Sequence, residues 1–342
     1  MRVLLIKMSS LGDVVHALPA LTDAWHALPG LQVDWVVEEG LAEVPSWHPA
    51  VARVIPIALR RWRKNWLDTR MERRLFRAAV KERRYDIVLD AQGLFKSAWV
   101  GRMAHGQRRG LSPRSARDSL ATLSYHQRIP VSWEHHAVER MRQLFATALA
   151  YPRPSTAIDY GLDMKRLPLP VKHGDIVFLH GTTWPHKHWP EQYWQKLARH
   201  AEDEGWRVLI PWGSNEEYER ARRIAASAPR AVEVLPRLDL AQLAGVMASA
   251  RATVGVDTGL AHLAAALAVP TLTLYGPTRP DRTGTFGVNQ WHLAAEFSCA
   301  PCMQRRCTYR GPAESRPACF ASLPAGRVWS ELRDLMAQTK EG

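Results

Sequence analysis

A short polar turn follows the first apolar run of the chain. Val3–Ile6 predicts a buried strand, and the turn after it carries Ser9, Ser10, Gly12 and Asp13 before a helical pattern begins. Hydroxyls, a glycine that lets the backbone approach a ligand, and a carboxylate at a helix start are groups that a binding or catalytic site could use. Taken alone, Asp13 is better interpreted as a helix N-cap, which contributes about 1 kcal/mol.

A second turn of the same kind follows the strand predicted at Ile176–Leu179. It contains the hydroxyls of Thr182 and Thr183 and the ammonium of Lys187, ahead of a helix that Pro190 opens. A helix N-terminus offers free backbone N–H groups and a positive dipole end, and a lysine adds a point charge. This turn therefore suits a phosphate group. The alternative for Lys187 is an exposed loop lysine, the common position of that residue type.

A third strand-to-helix turn is the segment Asp257–His262. The small side chains of Thr258 and Gly259 leave backbone amides open to an anion, and His262 falls on the first turn of the helix, where it could cap the helix or contact phosphate. For His262 alone, a buried core histidine is the better interpretation. Three such turns, two of them in the second half of the chain, point together to a ligand that carries phosphate.

Alternating strands and helices position these three turns. Such alternation predicts parallel sheets with crossover helices on both faces, whose strands bring their carboxyl ends to one edge. A polar stretch containing four prolines separates two such runs and is the best linker candidate; they are Pro152, Pro154, Pro168 and Pro170. The sequence therefore predicts an α/β protein with two doubly wound domains that face each other across a cleft.

The predicted elements can be given by residue. The strands are Val3–Ile6, Val33–Val37, Val54–Ile57, Ile87–Leu89, Ile176–Leu179, Val208–Pro211, Val232–Leu235, Ala252–Val256 and Thr271–Tyr275. The helices are Val14–Leu28, Met71–Lys81, Ser97–Met103, Ala137–Leu149, Pro190–Ala201, Glu216–Ala226, Leu240–Ala248 and Gly259–Ala268.

Several function classes lack their sequence motifs. No two of the 21 glycines are spaced as Gly-x-Gly, so the dinucleotide-binding fingerprint is missing. Gly-Lys-Ser/Thr and His-Glu-x-x-His do not occur, which removes the main support for an ATPase and for a zinc hydrolase. Asp-x-Asp does not occur either, so the sequence lacks the metal–diphosphate clamp that is usual in one large class of sugar transferases.

Positive charge is concentrated in one part of the chain. The 342 residues carry a formal net charge of +13, and 19 Lys+Arg against 6 Asp+Glu between residues 51 and 128 account for all of it. A one-sided basic region attracts nucleic acid, anionic headgroups or a polyanionic substrate, and the alternative is a solvated arginine-rich surface. That alternative fits the helix over Met71–Arg84 better than it fits Arg60–Lys64, which we expect in a loop. No nucleic-acid-binding motif accompanies the charge, so we expect no nucleic acid partner.

At the three turns the sequence resembles the lipopolysaccharide heptosyltransferases of glycosyltransferase family 9, and most closely those that add the first heptose. The resemblance runs through most of the chain in order, and its segments are specific only together. They are Met1–Val14, Asp34–Gly40, Arg60–Lys64, Asp90–Ser97, Lys187–Glu191, Pro211–Gly213 and Asp257–His262.

The resemblance implies a GT-B fold of two Rossmann-like domains. Residues 1–165 would bind the acceptor, residues 166–325 would bind ADP-heptose, and residues 326–342 would form a helix that crosses back to the first domain. The implied reaction is inverting transfer of L-glycero-D-manno-heptose from ADP-heptose to the 3-deoxy-manno-octulosonate (Kdo) of lipid A. It implies no essential metal or other cofactor. The alternative is another family 9 transferase, such as the enzyme that adds the second heptose.

The resemblance also implies a role for individual residues. Asp13 matches a proposed general base, and Lys187 matches the residue that neutralises the leaving diphosphate. The other donor-binding positions are Thr182, Thr183, Glu217, Asp257, Thr258, Gly259, Leu260 and His262. The implied acceptor-binding positions are Ser10, Gly12, Arg60, Arg61, Arg63, Lys64 and Arg117.

The four cysteines stand apart from this pattern. Cys299, Cys302, Cys307 and Cys319 all lie late in the chain. A Cys-x-x-Cys pair with two further cysteines could hold zinc or an iron–sulfur cluster, and reduced structural thiols are the alternative in a cytoplasmic protein. We assign them no part in catalysis.

The sequence also bears on location. Four apolar residues between Arg2 and Lys7 are too few for the core of a signal peptide, and the longest charge-free stretch contains prolines that a spanning helix disfavours. We therefore expect a cytoplasmic protein. Because the implied acceptor is a lipid, we expect peripheral contact with the cytoplasmic face of the inner membrane.

Overall fold

The computed structural model describes residues 1–155, 157–167 and 174–339. The chain divides into two compact units, Met1–Arg166 and Leu167–Gly342. Of the four prolines in the predicted linker, Pro152 and Pro154 belong to the first unit, and Pro168 and Pro170 lie outside the described residues. Within the described residues, no helix is both long enough and apolar enough to span a bilayer.

The first unit is a six-stranded parallel sheet with helices on both faces. Its strands follow the order β3-β2-β1-β4-β5-β6. In chain order its elements are β1 (Arg2–Ile6), α1 (Leu11–Val15), α2 (Leu18–Ala27), β2 (Gln32–Glu38), α3 (Glu43–Ser46), β3 (Val51–Ile57), α4 (Leu59–Lys64), α5 (Arg70–Lys81), β4 (Arg84–Asp90), α6 (Phe95–Gly101), β5 (His105–Leu111), β6 (Gln127–Ile129) and α7 (Ala137–Leu149), with 3₁₀ turns at Glu39–Leu41, Ser119–Ser124 and Met164–Arg166.

The second unit repeats this arrangement. Its six parallel strands follow the order β12-β11-β10-β7-β8-β9. Its elements are β7 (Ile176–Leu179), α8 (Glu191–Asp203), β8 (Val208–Ile210), α9 (Asn215–Ala225), β9 (Val232–Val234), α10 (Leu240–Ala248), β10 (Ala252–Val256), α11 (Gly259–Ala266), β11 (Thr271–Tyr275), α12 (Pro280–Thr283), β12 (Gln290–Ala294) and α13 (Ala325–Gln338), with 3₁₀ turns at Pro185–Lys187 and Ala318–Ser322. The predicted fold class, an α/β protein with two doubly wound parallel sheets, is confirmed.

Three sequence predictions about the first unit are corrected. Arg60–Lys64 is not a loop, because Leu59–Lys64 forms α4 and buries Trp62 against the sheet. The single helix predicted over Val14–Leu28 is two helices, α1 and α2. Strands β5 and β6 were missed because they are rich in arginine and glycine and lack the apolar run of a buried strand.

The last helix packs within the second unit. α13 lies against α8, where the rings of His200 and Trp329 stack at 6.3 Å and the Trp329 indole donates to Glu204 at 2.7 Å. That the C-terminal segment 326–342 also crosses back to the first unit stays a prediction, and its last three residues lie outside the described part of the chain.

Candidate functional site

In the first unit, the strand order reverses between β1 and β4. β2 and β3 continue to one side of β1, and β4, β5 and β6 to the other. The segments that follow β1 and β4 therefore diverge and leave a crevice at their carboxyl ends, the usual ligand position in an open parallel sheet. Residues 7–13 follow β1, and residues 91–94 follow β4.

Gln92 fixes the turn after β1. Its side-chain oxygen accepts from the backbone N–H groups of Met8 at 2.9 Å and Ser9 at 3.2 Å, and its amide nitrogen donates to the Ser9 carbonyl at 2.7 Å. The Gln92 loop is held in turn by Asp90, which accepts from the Gln92 and Gly93 amides and, at 2.6 Å, from the Tyr125 hydroxyl. Buried hydrogen bonds of this kind position the turn that carries Asp13.

The two carboxylate oxygens of Asp13 have different partners. Oδ2 accepts from the backbone N–H and the hydroxyl of Ser10, both at 3.0 Å. Oδ1 faces the Lys7 ammonium at 3.5 Å and the Arg117 guanidinium at 3.4 Å. Ser10 is the N-cap of α1, and Asp13 sits three residues into the motif, so the interpretation of Asp13 as the N-cap itself is wrong. Its carboxylate does take part in a capping box.

The surroundings of Asp13 favour its ionised form. Burial alone would raise the pKa of Asp13, but the charges of Lys7 and Arg117 and the Ser10 amide outweigh it and hold that pKa well below its usual range. The side chain keeps 21% of its exposure, so a ligand can reach it. Burial also lowers the pKa of Lys7, against the opposite effect of Asp13.

The predicted basic segment has two kinds of arginine. Arg61 is engaged, since its guanidinium binds Glu39 at 2.9 Å and Glu72 at 2.7 Å and ties α4 to α5. The side chains of Arg60, Arg63 and Lys64 are exposed on the same short helix. The contacts of Arg61 therefore give it a structural role, and acceptor binding by all four residues stays a prediction.

The second unit has its own strand-order reversal, between β7 and β10. Thr182 follows β7, Asp257 follows β10, and the Thr182 hydroxyl donates to the Asp257 carbonyl at 3.1 Å. Lys187, from the same turn as Thr182, places its ammonium 2.7 Å from the Asp257 carboxylate. Thr278, after β11, donates to the same carboxylate oxygen at 2.6 Å. The second and third turns found in the sequence thus meet in one site.

Lys187 is not a free loop lysine. Its side chain is only 17% exposed, and the ammonium lies 4.7 Å from the centre of the Trp184 ring as well as against Asp257. His262 is buried, as its simpler interpretation predicts, yet its Nε2 lies 3.9 Å from the Asp257 carboxylate and so belongs to the same site. Thr183, by contrast, is exposed beside it.

Helix α11 begins at this site. Thr258 is its N-cap and Gly259 and Leu260 are its first residues, so the first-turn amides lie beside Asp257. The amides of Gly259 and Leu260 have no helix carbonyl to bind and can meet an anion, whereas the Ala261 amide donates to the Thr258 carbonyl at 3.2 Å. The predicted phosphate turn is therefore made of backbone N–H groups, hydroxyls and one ammonium.

Glu217 lies at the carboxyl ends of β7 and β8. Its Oε2 accepts from the backbone N–H groups of Gly213 at 2.8 Å and Ser214 at 3.2 Å, while Ser214 caps α9 in return. Its other oxygen lies directly over Gly181, where any Cβ would collide with it. Glu217 therefore has a structural role as a capping residue at the position that was predicted to bind the donor.

Four residues of these sites were missed as functional in the sequence. Lys7, Gln92 and Thr278 each lie a few residues after a strand, and Asp90 ends one. That position at the carboxyl end of a parallel strand was the available signal. Their contacts could not be foreseen, because Lys7 and the Ala91 carbonyl that it binds at 3.1 Å are separated by 84 residues.

The four cysteines are free thiols. Cys299, Cys302 and Cys307 are at least partly exposed, and Cys319 is buried. Burial, and then the nearby thiols, raises the pKa of Cys319 to about 12. The Cys302 sulfur lies 3.9 Å from Nδ1 of His186. Among the residues that the structure describes, no three His, Cys, Asp or Glu side chains are grouped to hold a metal ion.

Comparisons with known proteins agree on one family. The model of glycosyltransferase family 9 (heptosyltransferase) matches residues 73–312. Lipopolysaccharide heptosyltransferase 1 of Pseudomonas aeruginosa is 55% identical over 98% of both chains. Lipopolysaccharide heptosyltransferase 2 of Escherichia coli K12 is 28% identical over 62% of this chain and 66% of its own.

One solved relative has been captured with nucleotide ligands. The E. coli heptosyltransferase WaaC with ADP superposes with a TM-score of 0.87, at 44% identity over 98% of this chain and 100% of that one. The same enzyme with ADP-2-deoxy-2-fluoro heptose gives a TM-score of 0.83, at 44% identity over 98% and 99%.

Proposed function

Because this chain belongs to glycosyltransferase family 9, we propose that it transfers L-glycero-D-manno-heptose from ADP-heptose to the Kdo of lipid A, with inversion at the anomeric carbon. The enzyme is a heptosyltransferase of lipopolysaccharide inner-core biosynthesis. The observation that carries the proposal is the pair of sites at the two strand-order reversals. One presents an ionised carboxylate beside two cations, and the other presents helix amides, a threonine hydroxyl and a lysine suited to a diphosphate.

Asp13 is the proposed general base. As the acceptor hydroxyl attacks the anomeric carbon, its proton passes to Asp13, the new glycosidic bond forms, and the bond between the sugar and the diphosphate oxygen breaks. The capping contacts with Ser10 hold Oδ2 of Asp13 in place. Oδ1 is therefore the oxygen that would accept the proton of the acceptor hydroxyl. The carboxylate must shed part of its contact with Lys7 and Arg117 to become an effective base, because both cations lower its proton affinity.

Lys187 is the proposed counter-charge for the leaving ADP. Negative charge grows on the diphosphate as the sugar–oxygen bond breaks, and a fixed ammonium with helix amides stabilises that charge. Asp257 holds the Lys187 ammonium at 2.7 Å, and Thr278 holds the carboxylate. Asp257 thereby positions the lysine, in addition to the contact with heptose that the resemblance implies. The proposed reaction uses no metal ion or other cofactor.

The acceptor would meet the first unit. Arg60, Arg63 and Lys64 expose their charges on α4 and can bind the anionic groups of Kdo and lipid A. Because that acceptor is lipid-borne, the proposal includes peripheral association with the cytoplasmic face of the inner membrane.

A product assay tests the proposal against its alternative. The purified chain is incubated with ADP-heptose and either a heptose-free Kdo–lipid A acceptor or the same acceptor already carrying one heptose. We expect a product only with the first acceptor. A product only with the second would make this chain a transferase of the second heptose, which the lower identity and coverage of heptosyltransferase 2 support less.

A further inference from the structure

Exposed apolar side chains are concentrated in one part of the first unit. In the part of the chain that the structure describes, thirteen large apolar side chains are more than a third exposed, and eight of them fall between residues 66 and 123. Removing these side chains from water by contact with a partner would be favourable, so their concentration marks an interaction surface. The eight are Trp66, Leu67, Met71, Leu75, Phe95, Trp99, Leu120 and Leu123.

Helix α5 contributes the first half of this surface. Phe76 and Val80 pack it onto the sheet, and the opposite side is exposed. Met71 and Leu75 form an apolar row there, exposed by 62% and 63%. Leu67, 87% exposed, lies just before the helix. An apolar row that points to solvent from a helix already anchored by its other side has no role in the core.

The loop that carries Leu67 is held in a defined position. The Arg73 guanidinium lies 3.3 Å from the centre of the Trp66 ring and donates to the Trp66 carbonyl at 2.7 Å. The Thr69 hydroxyl donates to the Asn65 carbonyl at 2.7 Å. The protrusion of Leu67 is therefore a supported feature of the loop.

Helix α6 and the 3₁₀ turn Ser119–Ser124 contribute the second half. Ala98 and Ala121 pack together with Tyr125, so the two segments are neighbours. α5 and α6 lie on the same side of the sheet, because Phe76 and Val100 share one core cluster. The Arg77 guanidinium lies 5.8 Å from the Trp99 ring and connects the two halves.

Basic residues surround the apolar rows. Residues 59–84 contain eleven Lys+Arg and three Asp+Glu. On α5, Arg70, Arg74, Arg77 and Lys81 are exposed and fall at helical spacing beside the row of Met71 and Leu75. Apolar and aromatic side chains bordered by arginines match the boundary of an anionic bilayer, where rings and leucines enter the headgroup region and cations meet lipid phosphates.

We propose that the surface formed by α5, α6 and the Ser119–Ser124 turn docks the enzyme on the surface of an anionic phospholipid bilayer. This inference deepens the proposed function, because it assigns the membrane contact to particular residues. It concerns binding to lipids without acceptor, so it can fail while the transferase activity stands. A protein partner is the other class of occupant, and the surplus of cations beside the apolar rows favours the bilayer.

Flotation with acceptor-free vesicles tests the proposal. The full chain is mixed with vesicles of phosphatidylcholine containing increasing phosphatidylglycerol. Two double variants remove either apolar contact (Leu67→Gln with Met71→Gln) or charge (Arg70→Gln with Arg74→Gln). Matched controls make the same changes at exposed sites of the second unit (Val288→Gln with Met303→Gln, and Arg199→Gln with Arg237→Gln).

We expect the unmodified chain to float with anionic vesicles, and each α5 double variant to bind at least about tenfold more weakly than its control. The effect of the charge pair should shrink as salt rises. Failure of the unmodified chain to bind, or an apolar pair that floats as well as its control, would overturn the proposal. Turnover of the unmodified chain with ADP-heptose and detergent-dispersed acceptor is measured in parallel. If this chain floats with anionic vesicles but forms no product, the proposed transferase function fails and the docking proposal stands.

Discussion

At the scale of single residues, the two carboxylate oxygens of Asp13 have separate contacts. One oxygen completes a capping box with Ser10, and the other faces Lys7 and Arg117. A residue that only capped the helix would need neither cation. The position of Asp13 was predictable from the polar turn after a strand. Its contact with Arg117 was not, because the two residues are 104 positions apart in the chain.

Replacing Asp13 with Asn should lower kcat by about 10²-fold or more, the scale of a lost general base. Asn keeps the size of the side chain and an oxygen for the Ser10 amide, so thermal stability and ADP binding should change little. Steady-state kinetics, a thermal melt and an ADP titration measure the three quantities. Asp239→Asn, which makes the same change at the N-cap carboxylate of α10 in the second unit, is the matched control and should leave turnover unchanged. Near-normal turnover of the Asn variant would return Asp13 to a purely structural role.

Removing Arg117 should move the acid limb of the pH–rate profile. Arg117 favours the ionised carboxylate, so Arg117→Ala raises the pKa of Asp13. The base must be ionised to act, and activity should then be lost at a higher pH as the solution is acidified. Arg114→Ala, an exposed arginine three residues earlier, is the control. A profile for Arg117→Ala that superposes on that of the control would contradict this electrostatic account.

Lys187→Ala should impair use of the donor. Loss of the ammonium removes the counter-charge for the diphosphate and leaves Asp257 without its cation, so ADP should bind at least about tenfold more weakly and kcat should fall. Calorimetric titration with ADP and kinetics with varied ADP-heptose measure both effects. Lys196→Ala, on the exposed side of α8, should match the unmodified enzyme. Unchanged donor kinetics for Lys187→Ala would reject its proposed role.

At the scale of elements, the strands with pure apolar runs were predictable, whereas α4, β5 and β6 were not. β1, β7 and β10 are buried on both faces, and their apolar runs are typical of strands. α4 was expected to be a loop, because five of its six residues are tryptophan, arginine or lysine. In the structure Trp62 of α4 packs into the core, and Arg61 binds Glu39 and Glu72, contacts that no local pattern reveals.

Gly181→Ala tests how the turn after β7 depends on α9. A Cβ at this position collides with the Glu217 carboxylate, so the capping contacts of Glu217 must break or the turn must move. We expect a loss of about 1 kcal/mol in the free energy of unfolding, the scale of a helix cap, together with weaker ADP binding. Thermal melts and an ADP titration measure these. Gly326→Ala is the control, because it faces open space in α13 and should be neutral or stabilising. Equal behaviour of both variants would contradict the contact.

At the scale of the whole molecule, the positive charge and the site suited to a diphosphate belong to different units. The excess positive charge lies in the first unit, which carries Asp13 and the exposed cations of α4, while the second unit carries the site suited to a diphosphate. The two doubly wound sheets and the family 9 assignment were predictable, because alternation of elements and ordered motifs are local properties. The ion pair of Lys187 with Asp257 was not, because it depends on β7 and β10 being neighbours in the sheet although they are far apart in the chain.

The most direct test of the proposed mechanism is a single-turnover product analysis with ADP-heptose and heptose-free Kdo–lipid A. We expect one heptose added to Kdo with inverted anomeric configuration, ADP released in equal amount, and no product from the Asp13→Asn variant on the same timescale. Transfer with retained configuration, or equal product formation by the Asp13→Asn variant, would contradict the mechanism.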